Sequence, residues 1–134
     1  MTTMHWWRCK HGAPFDPKWG VVALTAKSEP GKVWAVVTVS GGTPTVTTNH
    51  NVTSIADDGV GHYTLTFTTA FSSANYAAIA MPFAPGGTNE VGCYVTAKTT
   101  TTVTVRIYTV NVSGANTTLS ALDSSFSLMA FGAQ

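Results

Sequence analysis

The sequence predicts an all-β protein, an antiparallel β-sandwich of jelly-roll-like type with about six to eight strands. Tyr63, Leu65 and Phe67 alternate with threonines, and a second alternating segment runs from Val103 to Ile107. A period of two is typical of a strand with one buried face. Residues that favour turns separate such segments at short, regular intervals. Many short strands with this spacing indicate a sandwich.

The remaining strands follow from the same two signals. They are predicted at residues 33–40, 45–55, 76–83, 92–97 and 125–131, with turns at 41–42, 57–59, 72–75, 85–87 and 113–116. The turn at 57–59 is the run Asp57-Asp58-Gly59, whose residue types favour tight turns. Threonine occupies many of the polar strand positions, because its branched β-carbon suits a pleated sheet while its hydroxyl faces water.

The composition changes near residue 32 and divides the chain into two regions. Five of the seven basic residues lie in the first 32 positions, and all four tryptophans lie in the first 34. Within this part, Asp16 can cap a helix whose first residue is Pro17. We therefore predict a basic, Trp-rich arm over 1–31, with one short helix from Pro17 to about Ala26, followed by a sandwich domain over 32–134.

Length and charge narrow the classes of function. The chain has 134 residues, 10% charged residues and a net charge of +1, which provides no broad electrostatic field for nucleic acid or an anionic membrane. No segment has the length of apolar sequence that a membrane span needs. The first ten residues lack the pattern of a signal peptide, so we expect synthesis in a reducing cytoplasm with Cys9 and Cys93 as free thiols.

Several segments of the sandwich region together resemble a known family. The residues concerned are Trp34, the strand ending in Gly41-Gly42-Thr43, the segments 51–55 and 57–61, the strand 63–70, Tyr76-Ala77 and the closing strand 126–131. Together they resemble the C-terminal β-sandwich domains of bacteriophage tail fibres and related virion appendages, such as head fibres and capsid decoration proteins. The resemblance implies a non-enzymatic homotrimer located in the virion, attached to capsid or tail proteins and able to contact a glycan on the host surface.

The arm is then interpreted as an attachment element. Trp6, Trp7, Arg8 and Trp19, together with Trp34, are the predicted anchor or interface residues, because buried Trp and Arg dominate the energetics of protein interfaces. In the alternative interpretation, the tryptophans cap one end of the core of the sandwich. Residues 11–19 also resemble the start of some phage replication proteins, but no winged-helix pattern follows, so DNA binding is not inferred.

Residues with catalytic or metal-binding chemistry form no convincing set. His5, Cys9 and His11 are one ligand short of a structural zinc site, and a ring of His50 and His62 around a threefold axis is a further alternative. Asp57 and Asp58 are adjacent, so on a strand their side chains point to opposite faces and cannot act as an acid–base pair. We predict no catalytic residue, no metal and no cofactor.

Three residues are candidates for a receptor-binding or subunit-contact surface. Tyr94, Arg106 and Tyr108 fall on strand positions opposite the apolar faces. Exposed aromatic and hydrogen-bonding side chains of this kind favour carbohydrate, and residues 83–90 form the longest candidate loop. Burial of both tyrosines between subunits is the competing interpretation. A stand-alone carbohydrate-binding module is therefore the alternative to a virion protein.

Overall fold

A computed structural model describes residues 31–83 and 90–134 and contains nine strands in this part of the chain. In chain order they are β1 (Gly31–Ser40), β2 (Thr43–His50), β3 (Val52–Gly59), β4 (His62–Phe67), β5 (Ala77–Pro82), β6 (Glu90–Lys98), β7 (Thr102–Ser113), β8 (Asn116–Ala121) and β9 (Phe126–Gly132). The described residues contain no helix long and apolar enough to cross a membrane.

The strands form two antiparallel sheets. Sheet A has the order β2-β1-β9-β5, and sheet B has the order β3-β4-β7-β6. Strand β7 is long enough to have two partners along one edge, since β4 pairs with residues 102–106 and β8 pairs with residues 108–113. The β7–β8 hairpin therefore extends sheet B beyond the end of β4.

The core lies between the two sheets and consists of the alternating inward side chains. The Tyr63 ring of sheet B stacks on the Phe126 ring of sheet A, with ring centres 5.6 Å apart. At one end of the sandwich Phe67, Phe71 and Tyr76 pack against each other. The largest fully buried side chains are Tyr63, Phe126, Leu65, Ile107, Leu128, Val33, Val37, Val103 and Val105.

The predicted all-β sandwich is confirmed, with two differences in its strands. The segment 45–55, predicted as one strand, is broken at Asn51, whose positive φ of 62° turns the chain between β2 and β3. Asparagine tolerates this left-handed conformation better than most residues. Strand β8 was not predicted. All of its residues are exposed, so neither face is buried and its sequence carries no alternation of apolar and polar residues.

The predicted turn at 57–59 is displaced along the chain. Strand β3 continues to Gly59, and the turn consists of Val60 and Gly61. Asp57 and Asp58 make local hydrogen bonds there: Asp57 Oδ1 accepts from the Gly59 N–H at 3.0 Å, and Asp58 Oδ2 accepts from the Thr64 hydroxyl at 2.6 Å. Both carboxylates thus stabilise the β3–β4 hairpin.

Several predicted features fall outside the described residues. They are the helix from Pro17 to Ala26, the anchor residues Trp6, Trp7, Arg8 and Trp19, the ligands His5, Cys9 and His11, and most of the loop 83–90.

Candidate functional site

The three residues predicted as a receptor or subunit surface lie together on the outer face of sheet B. Tyr94 on β6 is directly opposite Arg106 on β7, and Tyr108 follows two positions along the same strand. Residues two apart on a strand share a face, so all three side chains project away from the core. The alternation of Val103, Val105 and Ile107 into the core places them there.

The Tyr108 ring is positioned by two small neighbours. Gly92 lies opposite Tyr108 on β6, and Ala121 lies opposite it on β8. A β-carbon at Gly92 would collide with the end of the Tyr108 ring, so this ring lies over Gly92. The ring centres of Tyr94 and Tyr108 are 5.8 Å apart, with their planes tilted by 59°.

These contacts create a shallow depression of about 260 Å³ on the outer face, hereafter the Tyr–Arg depression. Strands β6 and β7 contribute one side and β8 contributes the other. Its lining residues are Tyr94, Arg106, Tyr108, Leu119, Ser120 and Ala121. The three β8 residues could not be assigned to the site from the sequence. All residues of β8 are exposed, so its sequence lacks the apolar–polar alternation that would have identified it as a strand.

Arg106 brings a positive charge to the Tyr–Arg depression. Its side chain is exposed, and its guanidinium makes no hydrogen bond or ion pair with another described residue. His62 is its cross-strand neighbour on β4. Two of the described carboxylates accept hydrogen bonds from other side chains, since Asp58 accepts from Thr64 and Asp123 accepts from Tyr63.

A second candidate surface is the outer face of sheet A, which is apolar. Trp34 on β1 is opposite Met129 on β9, and Met129 is opposite Ile79 on β5, so one row of large side chains crosses three strands. The next outward positions of the neighbouring strands continue this surface. Its large exposed side chains are Trp34, Ile79, Met81, Phe83, Met129 and Phe131, hereafter the apolar face.

The apolar face is almost free of charge. The four strands of sheet A carry only two ionisable side chains, Lys32 and His50. Trp34, predicted as an interface residue, lies at the β1 end of the row that it forms with Met129 and Ile79, and it is 40% exposed. The other three tryptophans lie outside the described residues.

Three further titratable groups, of Cys93, Tyr76 and Tyr63, lie partly or wholly in the interior. Burial raises the pKa of the Cys93 thiol to about 12 and that of the Tyr76 phenol to about 12. Burial, followed by the hydrogen bond to Asp123, also raises the pKa of Tyr63. None of these three groups lines the Tyr–Arg depression.

The described residues include no group of three or more His, Cys, Asp or Glu side chains arranged to hold a metal. His50 ends β2 in sheet A, whereas His62 begins β4 in sheet B. The two histidines thus belong to different sheets of the sandwich.

Comparison with protein-family models, with curated proteins and with solved structures finds no match. The likeness to phage appendage domains therefore stays a prediction from the sequence.

Proposed function

We propose that this protein is a structural component of a bacteriophage virion, whose sandwich self-associates through the apolar face while residues 1–31 attach it to capsid or tail proteins. The resemblance of residues 34–131 to appendage domains supports the virion setting and the expected number of three subunits. The observation that carries the self-association is the row Trp34–Met129–Ile79 on the surface of sheet A.

The area of the apolar face supports this function. Its six large side chains are between 40% and 64% exposed, which amounts to roughly 600 Å² if each offers about 200 Å² when fully exposed. The largest apolar patch on a monomer is about 300–600 Å², and each partner in a stable complex buries about 800 Å². The apolar face is therefore at the upper limit for a monomer and close to the size of an interface.

The edge of sheet A favours another copy of this chain as the partner. Strand β5 is an edge strand with the sequence AAIAMP, and Pro82 is its only residue of a type that blocks strand pairing. Charged side chains usually protect such an edge against association with a like strand, and β5 has none. Packing two apolar faces against each other also avoids the cost of removing charged side chains from water.

Solution molar mass tests the assembly. We expect three chains for the full-length protein and a single chain for Ile79→Asp, because the carboxylate would be buried without a partner in the interface. Val112→Asp is the matched control, since Val112 is similarly exposed but lies on the β7–β8 hairpin. It should leave the trimer intact.

A monomeric wild-type protein would exclude the assembly. An Ile79→Asp variant that stays trimeric would place the interface elsewhere. Association of the full-length protein with purified particles, measured by co-sedimentation, tests the virion setting separately.

A carbohydrate-binding module is the second candidate function. The observation that favours it is the Tyr–Arg depression, in which the exposed Tyr94 and the half-buried Tyr108 accompany a guanidinium that has no partner among the described residues.

A further inference from the structure

We propose that the Tyr–Arg depression binds a sugar unit that carries a carboxylate. This inference rests on the second candidate function and specifies its ligand. It does not require the trimer, because the depression lies on sheet B and the apolar face lies on sheet A.

The guanidinium of Arg106 selects the charge and the shape of the ligand. It is exposed on the edge of the depression and has no partner among the described residues. A guanidinium is planar and presents paired N–H donors that match the two oxygens of a carboxylate. Glu90, the carboxylate on β6, does not compete for the guanidinium. It lies opposite Val110, four residues along the strand from Tyr94, which is the residue opposite Arg106.

The two tyrosines select a sugar as the body of that ligand. Their rings are tilted by 59°, so they offer two apolar surfaces at an angle rather than one flat platform. The negative face of an aromatic ring attracts the partly positive C–H groups of a pyranose, while phenol hydroxyls can bond sugar hydroxyls.

The size of the depression limits what it can hold. Pockets for drug-sized ligands have volumes of about 300–1,000 Å³, and this depression has about 260 Å³. It therefore holds one sugar unit, with the rest of a glycan extending over the surface. Binding through so few contacts is expected to be weak for one chain and stronger for a trimer with three copies.

The test uses the full-length protein and acidic oligosaccharides as probes. Oligosaccharides of galacturonate, glucuronate and sialate are titrated by NMR, each beside its methyl ester, which keeps the sugar and removes the charge. We expect at least one acid to bind at millimolar concentration and to shift the ring signals of Tyr94 and Tyr108. Its ester should bind about tenfold to a hundredfold more weakly, the range expected for a charge-assisted hydrogen bond.

Four variants separate the contributions of charge and ring. Arg106→Gln should reduce the affinity for the acid to that of the ester, whereas Lys32→Gln, which removes the same charge on sheet A, should change nothing. Tyr108→Ala should weaken acid and ester alike. Gly92→Ala should have the same effect, because its β-carbon would displace the Tyr108 ring.

Four results would overturn the proposal: no acidic probe binds, acid and ester bind equally, Arg106→Gln leaves the affinity for the acid unchanged, or binding occurs only in the monomeric Ile79→Asp variant. The last result would make the depression a contact between subunits. A monomeric wild-type protein that binds the acid would remove the virion assembly and leave this inference intact.

Discussion

The phenol of Tyr63 donates a hydrogen bond of 2.7 Å to Oδ1 of Asp123, a residue 60 positions further along the chain. The same oxygen accepts the N–H of Gly61, also at 2.7 Å. Asp123 lies in the segment that passes from β8 in sheet B to β9 in sheet A. This pair therefore ties the crossing between the two sheets to the β3–β4 hairpin.

Tyr63→Phe is expected to lower the free energy of unfolding by about 1–2 kcal/mol, because a part-buried carboxylate oxygen loses one of its donors. Urea unfolding should show a lower midpoint with an unchanged slope. Thr53→Val is the control, since it removes an exposed hydroxyl pair with Thr68 at 2.9 Å and should cost less than about 0.5 kcal/mol. Equal losses in the two variants would show that the Asp123 contact contributes no more than a surface one.

Gly61→Ala is expected to destabilise the protein more than Gly114→Ala. Both glycines have a positive φ, +65° and +62°, and therefore share the strain of a left-handed side chain. A β-carbon at Gly61 would also lie 2.8 Å from the Leu122 carbonyl oxygen, whereas nothing lies within 4 Å at Gly114. This backbone collision should add about 1–3 kcal/mol.

Urea unfolding of both alanine variants measures the difference. Equal unfolding free energies would mean that the β3–β4 turn and the segment at Leu122 move apart at little cost.

The protein is expected to lose stability in alkali. The unfolded chain releases the Cys93 proton near its ordinary pKa of 9.0, whereas the folded protein holds it up to a pKa of about 12. Tyr76 behaves alike, with an ordinary pKa of 10.0 and a folded value of about 12. Because the unfolded state binds fewer protons in this window, the stability present below pH 9 falls as the pH rises towards 12.

Urea unfolding at a series of pH values across that window measures the loss. Cys93→Ala and Tyr76→Phe should each make the decline shallower. A free energy of unfolding that stays constant across the window would contradict the raised pKa values of these two groups in the folded protein.

Replacing both Trp6 and Trp7 by alanine is expected to leave the sandwich folded but to prevent incorporation into particles. The reason is that buried tryptophans contribute much of the binding energy of interfaces. Circular dichroism measures the fold, and blotting of purified particles measures the occupancy. A phenylalanine pair at the same positions is the control that keeps the aromatic character. Normal occupancy of the alanine variant would exclude residues 1–31 as an anchor that depends on these side chains.

Alternation within single segments predicted most of the fold. Strands such as β4 and β7 have one face in the core, and their sequences record this directly in Leu65 and Val105. The same alternation placed Tyr94, Arg106 and Tyr108 on the outer face. Strand β8 left no such record, because it has no buried face: it is joined to β7 by backbone pairing and by the hydrogen bond from Asn111 to Ser120.

In the strands that have one buried face, the sequence by itself determined which residues face the core and which face outward, because the pattern of such a strand reflects its own burial. Only the tertiary structure decided which outward residues meet. Trp34, Met129 and Ile79 come from three strands far apart in the chain, and Leu119 reaches the Tyr–Arg depression only because β8 pairs with β7. Strand order and register join these residues, and neither is encoded in the periodicity of any one segment.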